Sequence, residues 1–167
     1  ASGAPESAWL STALAEVLTT ELASGGGLRA ASGDEVARVQ RDLALPETDS
    51  LSRESLARLG EALGVTHVVP GSFASIPGEG SRLLRLDLQL RDAASGAAGE
   101  PAGATGTESQ LFELVARTAA ALRGELGLPA PSASESLQAA ASFPKDPNAA
   151  RLYASGLEQL RRYNAVE

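Results

Sequence analysis

Arg82-Leu83-Leu84-Arg85-Leu86-Asp87-Leu88-Gln89-Leu90-Arg91 is the stretch that decides the fold class. Leu84, Leu86, Leu88 and Leu90 recur at every second position, with Arg85, Asp87, Gln89 and Arg91 following each in turn. Successive side chains of a strand point to opposite faces, so this period sets four leucines on one side and four polar residues on the other. One buried and one wet face is the pattern of an antiparallel strand. Upstream, residues 65–76 are rich in β-formers (Val65, Thr66, Val68, Val69, Phe73), and Pro77-Gly78-Glu79-Gly80-Ser81 supplies a turn between the two segments. Downstream, residues 92–96 turn the chain again. Residues 97–107 then form a weaker third strand, in which Pro101 marks an edge or a bulge.

Helices surround this three-stranded meander. Leu10, Leu14, Val17, Leu18 and Leu22 make one apolar stripe between residues 7 and 23, ended by Ser24-Gly25-Gly26-Gly27. A short candidate strand, residues 28–31, comes next. Ser32 with Glu35 is a capping box opening a helix with Val36, Val39 and Leu43, which Pro46 closes. Ser52 caps a third helix carrying Leu56, Leu59 and Leu63, with Gly64 placed to end it. Thr107 with Gln110 is another capping box, before a long helix with Leu111, Val115, Ala119, Leu122 and Leu126 in register. The reading is α+β, or α/β in the broad sense: a mixed sheet with a late antiparallel meander, packed by helices, plus a helical C-terminal extension. Residues 1–128 form the α+β domain. Residues 129–147 are a Pro/Ser-rich linker holding one short helix capped by Ser132 and Glu135. Residues 148–167 are helical, with Leu152, Tyr153, Gly156, Leu157 and Leu160 along one side.

Composition narrows the function classes. The chain has 167 residues, no cysteine, no methionine, one histidine and a net charge of −7. Without cysteine there is no disulfide framework, thiolate nucleophile or Cys-based zinc site. The acidic balance, with Lys145 the one lysine, argues against a nucleic-acid surface. No apolar run approaches the roughly 20 residues of a membrane helix, so no membrane insertion is expected. A chain without methionine reads as a piece of a longer protein.

No catalytic constellation stands out. Gly25-Gly26-Gly27 follows a helix and precedes a strand, the reverse of a phosphate loop, and reads as a cap and turn. His67 has no acid beside it in its own strand and reads as a partly buried histidine with one hydrogen bond. Asp34, Glu35 and Glu108 lie at helix starts, where acids complement the helix dipole. Trp9 reads as a core plug at the entry of the first helix. Asp87 with Arg85 and Arg91 is either a surface charge network or a peptide-recognition face. No catalytic residue, cofactor or metal ligand is assigned.

The motif order resembles a known family. Glu6-Ser7-Ala8-Trp9-Leu10-Ser11-Thr12-Ala13-Leu14-Ala15-Glu16 is similar to the start of the TolB N-terminal-like domain of large bacterial signalling proteins. Leu63-Gly64-Val65-Thr66-His67-Val68-Val69-Pro70-Gly71-Ser72 resembles its helix-to-strand segment, and Leu86-Asp87-Leu88-Gln89-Leu90-Arg91-Asp92-Ala93 its following hairpin. Asp146-Pro147-Asn148-Ala149-Ala150-Arg151-Leu152-Tyr153, with Leu160-Arg161-Arg162-Tyr163, resembles the first helix of a tetratricopeptide (TPR) array. The resemblance implies a non-enzymatic module lying between a kinase, cyclase or regulator domain and TPR repeats. It also implies a hydrophobic strand ahead of the first helix, which this chain lacks, and an extracytoplasmic location in a membrane-anchored parent.

The leading expectation is a non-catalytic sensor or protein-interaction module acting with an adjacent TPR array. Its partners would be proteins or peptides, self-association included, engaged through Asp87, Arg85, Arg91, Leu152, Tyr153 and Leu160. The alternative is a small-molecule binder, for a nucleotide or metabolite, with a cleft near Gly25–Gly27. A hydrolase with dispersed carboxylates is the weakest of the three.

Overall fold

The computed structural model describes residues 8–45, 51–77 and 82–163. In chain order the elements are α1 (Ala8–Ser24), α2 (Gly33–Asp42), α3 (Arg53–Leu63), β1 (His67–Val68), β2 (Gly71–Pro77), β3 (Arg82–Asp92), β4 (Ala98–Thr107), α4 (Leu111–Glu125), α5 (Ala133–Ala141) and α6 (Pro147–Tyr163). The α+β class is as read from the sequence. The proline closing α2 (Pro46), the 78–81 part of the predicted turn, and the Glu6-Ser7 start of the family-like string lie outside the described residues.

The alternating stretch is β3, the centre of the sheet. Leu84, Leu86, Leu88 and Leu90 are all buried, as the period of two requires. β2 pairs with β3 from Gly71↔Leu88 to Pro77↔Arg82, and β1 continues the same register at Val68↔Arg91 and His67↔Asp92. The break between β1 and β2 falls at Val69-Pro70, yet Gln89 N–H still donates to Pro70 O at 3.1 Å. β1 and β2 are therefore one interrupted strand. β4 lines the other edge of β3, with a register shift between Gln89 and Arg91 beside Pro101. Proline thus marks both an edge and a bulge.

A mixed sheet was expected; every pairing among the described residues is antiparallel. The candidate strand at residues 28–31 takes no part in the sheet. Its first residue, Leu28, turns onto the core instead, after Gly26 and Gly27 at positive φ reverse the chain.

The leucine face of β3 packs against α1 and α4 in one cluster that includes Leu10, Ala13, Leu14, Val17, Leu114, Val115, Ala119 and Leu122. Trp9 packs on this cluster, partly buried. The capping boxes of Ser32 with Glu35 and Ser132 with Glu135 form as read, each closing the first turn of its helix. The Thr107–Gln110 box also forms, but opens a 3-10 turn, Glu108–Gln110, ahead of α4. Gly64 ends α3 in the left-handed conformation at φ +64°.

The last helix does not stand apart. Phe143, Ala150 and Ala154 belong to the same core cluster, and α6 lies along α1. The packed side of α6 is the alanine side, not the leucine side. Small residues let the two helix backbones approach closely, which leaves Leu152 and Leu160 turned outward.

Candidate functional site

The residues singled out by sequence fall in two places. Arg85, Asp87 and Arg91 lie on the face of β3 opposite the buried leucines, whereas Leu152, Tyr153 and Leu160 lie on α6, on the helical side of the sheet. The structure does not bring the two sets together.

On the sheet face, Arg85 and Asp87 satisfy each other. Arg85 Nε donates to Asp87 Oδ2 and Arg85 Nη2 to Asp87 Oδ1, both at 2.8 Å. These bonds, with the nearby carboxylate charge, raise the Arg85 pKa above its ordinary value. Gly103, opposite Asp87 on β4, leaves room for the pair: a Cβ there would stand 2.8 Å from Asp87 Oδ1. Arg91 is more enclosed. Its Nη2 reaches Gln89 Oε1 at 3.4 Å, and its Nε is buried with no hydrogen-bond partner among the described residues. His67 is exposed, bonded through Nδ1 to Thr66 Oγ1 at 2.9 Å, with Asp92 across the ladder. The Asp92 carboxyl lies below the ordinary aspartate range, chiefly through the side-chain and backbone hydrogen bonds of Ser95.

On α6, Leu152 is 75% exposed, Leu160 61% and Tyr153 45%. Leu152 and Leu160 are two turns apart with Gly156 between them, so they form one outward stripe. A Cβ at Gly156 would meet nothing within 4 Å. Tyr153 leans over the edge of this stripe, its ring edge-to-face with Phe143 at 5.3 Å between centroids, and Phe143 meets Phe112 at 6.2 Å. A small cavity of about 160 Å³ lies beneath it, lined by Glu16, Val17, Thr20, Ser142, Phe143 and Tyr153. Leu137 on α5 is also strongly exposed.

What holds α6 in place is Arg161. Its Nη2 donates to Glu16 Oε1 on α1 at 2.6 Å and its Nε to Asp34 Oδ1 on α2 at 2.8 Å. Burial pulls the Arg161 pKa down, but these two carboxylates outweigh it and the net shift is upward. Asp34, read from sequence as a dipole-complementing acid, is thus also a tether.

The glycine turn has a different occupant from the ligand considered above. Arg123, in the last turn of α4, is fully buried and aims its guanidinium into it. Nη1 donates to Leu22 O at 2.5 Å, Nη2 to Gly25 O at 3.0 Å and Gly26 O at 2.8 Å, and Nε to Pro129 O at 2.8 Å. A Cβ on Gly25 would stand 2.6 Å from Nη2, so glycine is needed there for the approach. The orphan carbonyls at the end of α1 are thereby capped by a cation from another helix. Sequence reading passed over both arginines. The one available signal for Arg123 is an arginine in the final turn of a helix, directly after the apolar stripe residue Leu122.

Among the described residues no group of three or more His, Asp or Glu side chains is placed to hold a metal ion. No helix among them is long and apolar enough to cross a membrane. No family model matches the chain, and neither a curated protein nor a solved structure does.

Proposed function

We propose that the chain is a non-catalytic sensor or protein-interaction module of a bacterial multidomain signalling protein, a TolB-like domain running into a TPR-like helix, and that its partner docks on α6. The observation that carries this reading is the outward stripe of Leu152 and Leu160, with Tyr153 beside it, on a helix whose opposite side is already packed. Single exposed leucines are ordinary on a surface; two in line on one firmly seated helix make a prepared anchor row. The tether through Arg161 supports it further, because a rigid row loses little entropy on binding.

The test is affinity capture with this chain and with the double variant Leu152→Asp, Leu160→Asp. Both substituted side chains point to water, so folding is expected to persist and circular dichroism should be unchanged. A partner held by the native chain and lost from the double variant would support the reading. Equal capture by both, or capture lost only with Arg85→Ala, would sink it and move the contact to the sheet face.

A further inference from the structure

The two edges of the sheet are finished differently. Hydrogen bonds in an antiparallel pair alternate residue by residue, so the bond from Gln89 N–H to Pro70 O, and that from Ala93 N–H to Thr66 O, fix which groups of β2 face inward. Ser72, Ala74 and Ile76 turn their backbone groups to β3. Gly71, Phe73 and Ser75 turn theirs outward. By the same alternation Pro101, Gly103, Thr105 and Thr107 face outward on β4. That second edge is covered in part: Gln110 Oε1 accepts from Thr107 N–H, Arg117 Nη2 donates to Thr105 O, Glu125 Oε1 accepts from Glu100 N–H at the bulge, and Pro101 has no N–H to offer, which leaves the outward groups of Gly103 between them without a partner among the described residues. Side chains and proline on an edge are how proteins stop strands from adding to it.

β2 has no such cover. Among the described residues nothing is bonded to the outward groups of Gly71, Phe73 and Ser75, and Gly71-Ser72-Phe73-Ala74-Ser75-Ile76-Pro77 holds no charge. In a chain of net charge −7, an uncharged edge is where two copies can meet without setting like charges opposite each other. The sequence of the edge also fits itself. With Ala74 of one copy opposite Ala74 of another, Phe73 falls opposite Ser75 and Ile76 opposite Ser72, large against small on both faces. In this register outward groups meet outward groups. Phe73 and Ser75 of opposite copies exchange both bonds, and Gly71 N–H reaches the Pro77 carbonyl.

We propose that β2 is a homodimerisation edge, pairing antiparallel with β2 of a second copy about a two-fold axis at Ala74. The two sheets then join into one, with helices on one side and the Arg85–Asp87 pairs of both copies on the other. The proposal does not rest on α6.

Light scattering after size exclusion, run from low to high micromolar protein, tests it. The native chain is expected to reach twice 17.0 kDa at the upper end. Ser75→Pro removes only an outward N–H, a change an edge strand tolerates, and deletes two intermolecular bonds per dimer. Association should weaken at least about tenfold, since each bond is worth about 1 kcal/mol. Ala74→Glu is a second variant: the acid faces Arg85 within its own sheet, yet sets two carboxylates against each other at the axis, and it too should associate at least about tenfold more weakly than the native chain. A native chain that stays monomeric throughout overturns the proposal. So does a dimer that both folded variants form as tightly as the native chain, or one broken instead by Leu152→Asp.

Discussion

Arg123 and Arg161 do opposite jobs with the same side chain. Arg123 is fully buried and bonded to four backbone carbonyls, with no carboxylate among its hydrogen-bond partners. Arg161 is partly buried and bonded to two carboxylates on two different helices. The first replaces the hydration of a cation by the dipoles of a helix end and has no substitute nearby if it leaves. The second joins a terminal helix to a body that is already assembled. A buried donor fan of this kind belongs to the fold, whereas a bridge near the surface sets how firmly a docking helix is held.

The sharpest way to break the contrast is Arg123→Met. The methionine keeps much of the volume but strips Leu22, Gly25, Gly26 and Pro129 of their donor. The cost should be roughly 3–5 kcal/mol, a large share of the stability of a domain this size. Urea unfolding reads it directly. A loss below about 1 kcal/mol would mean that water reaches the turn and serves those carbonyls instead.

Arg161→Gln should cost far less overall, about 1 kcal/mol. Its effect should be local. Hydrogen exchange is expected to speed up in α6 while β3 and α4 keep their protection. Uniform acceleration would show that α6 unfolds only with the whole chain, and the two arginines would then differ in degree, not in kind.

The smallest effect lies at the capping boxes. Glu135 accepts from Ser132 Oγ and Ser132 N–H, both at 2.7 Å, and these bonds hold its carboxyl below the ordinary glutamate value of 4.5. Because the folded-state value is the lower one, the contribution to α5 is complete above pH 4.5. It is lost as pH falls through the folded-state value. Carbon-detected NMR titration should find Glu135 low in the native chain and partly raised in Ser132→Ala, where the hydroxyl is gone but the backbone N–H of residue 132 remains. An unchanged Glu135 in that variant would assign the shift to the backbone N–H of residue 132 and to Arg123.

These contrasts also mark what was legible in the sequence. The period of two in residues 84–90, the Ser-x-x-Glu boxes and the glycine after α3 are local codes, and each needs only its own few residues to be read. Arg123 is not local: its acceptors Leu22, Gly25 and Gly26 lie 97 to 101 residues away. Arg161 likewise finds Glu16 and Asp34 across 145 and 127 residues. The outward row on α6 was visible as a leucine stripe. Which side of that helix packs was not, because alanines carry no strong periodic signal. The β2 edge was hidden for another reason: backbone groups bear no sequence mark, and only the pairing register shows which of them remain free.

The distance spanned by Arg123 has a kinetic meaning. Its bonds close a loop of about a hundred residues, and the guanidinium can shed its water only when the ends of α1 and α4 are both in place. A contact that needs both ends in place is expected to form after the main barrier, so Arg123→Met should leave the folding rate nearly unchanged in a chevron measurement and speed unfolding. Arg123 therefore acts as a latch. On that expectation it adds little to the speed at which the chain finds its fold and much to the time it stays there; a folding rate slowed in proportion to the lost stability would place Arg123 in the nucleus instead.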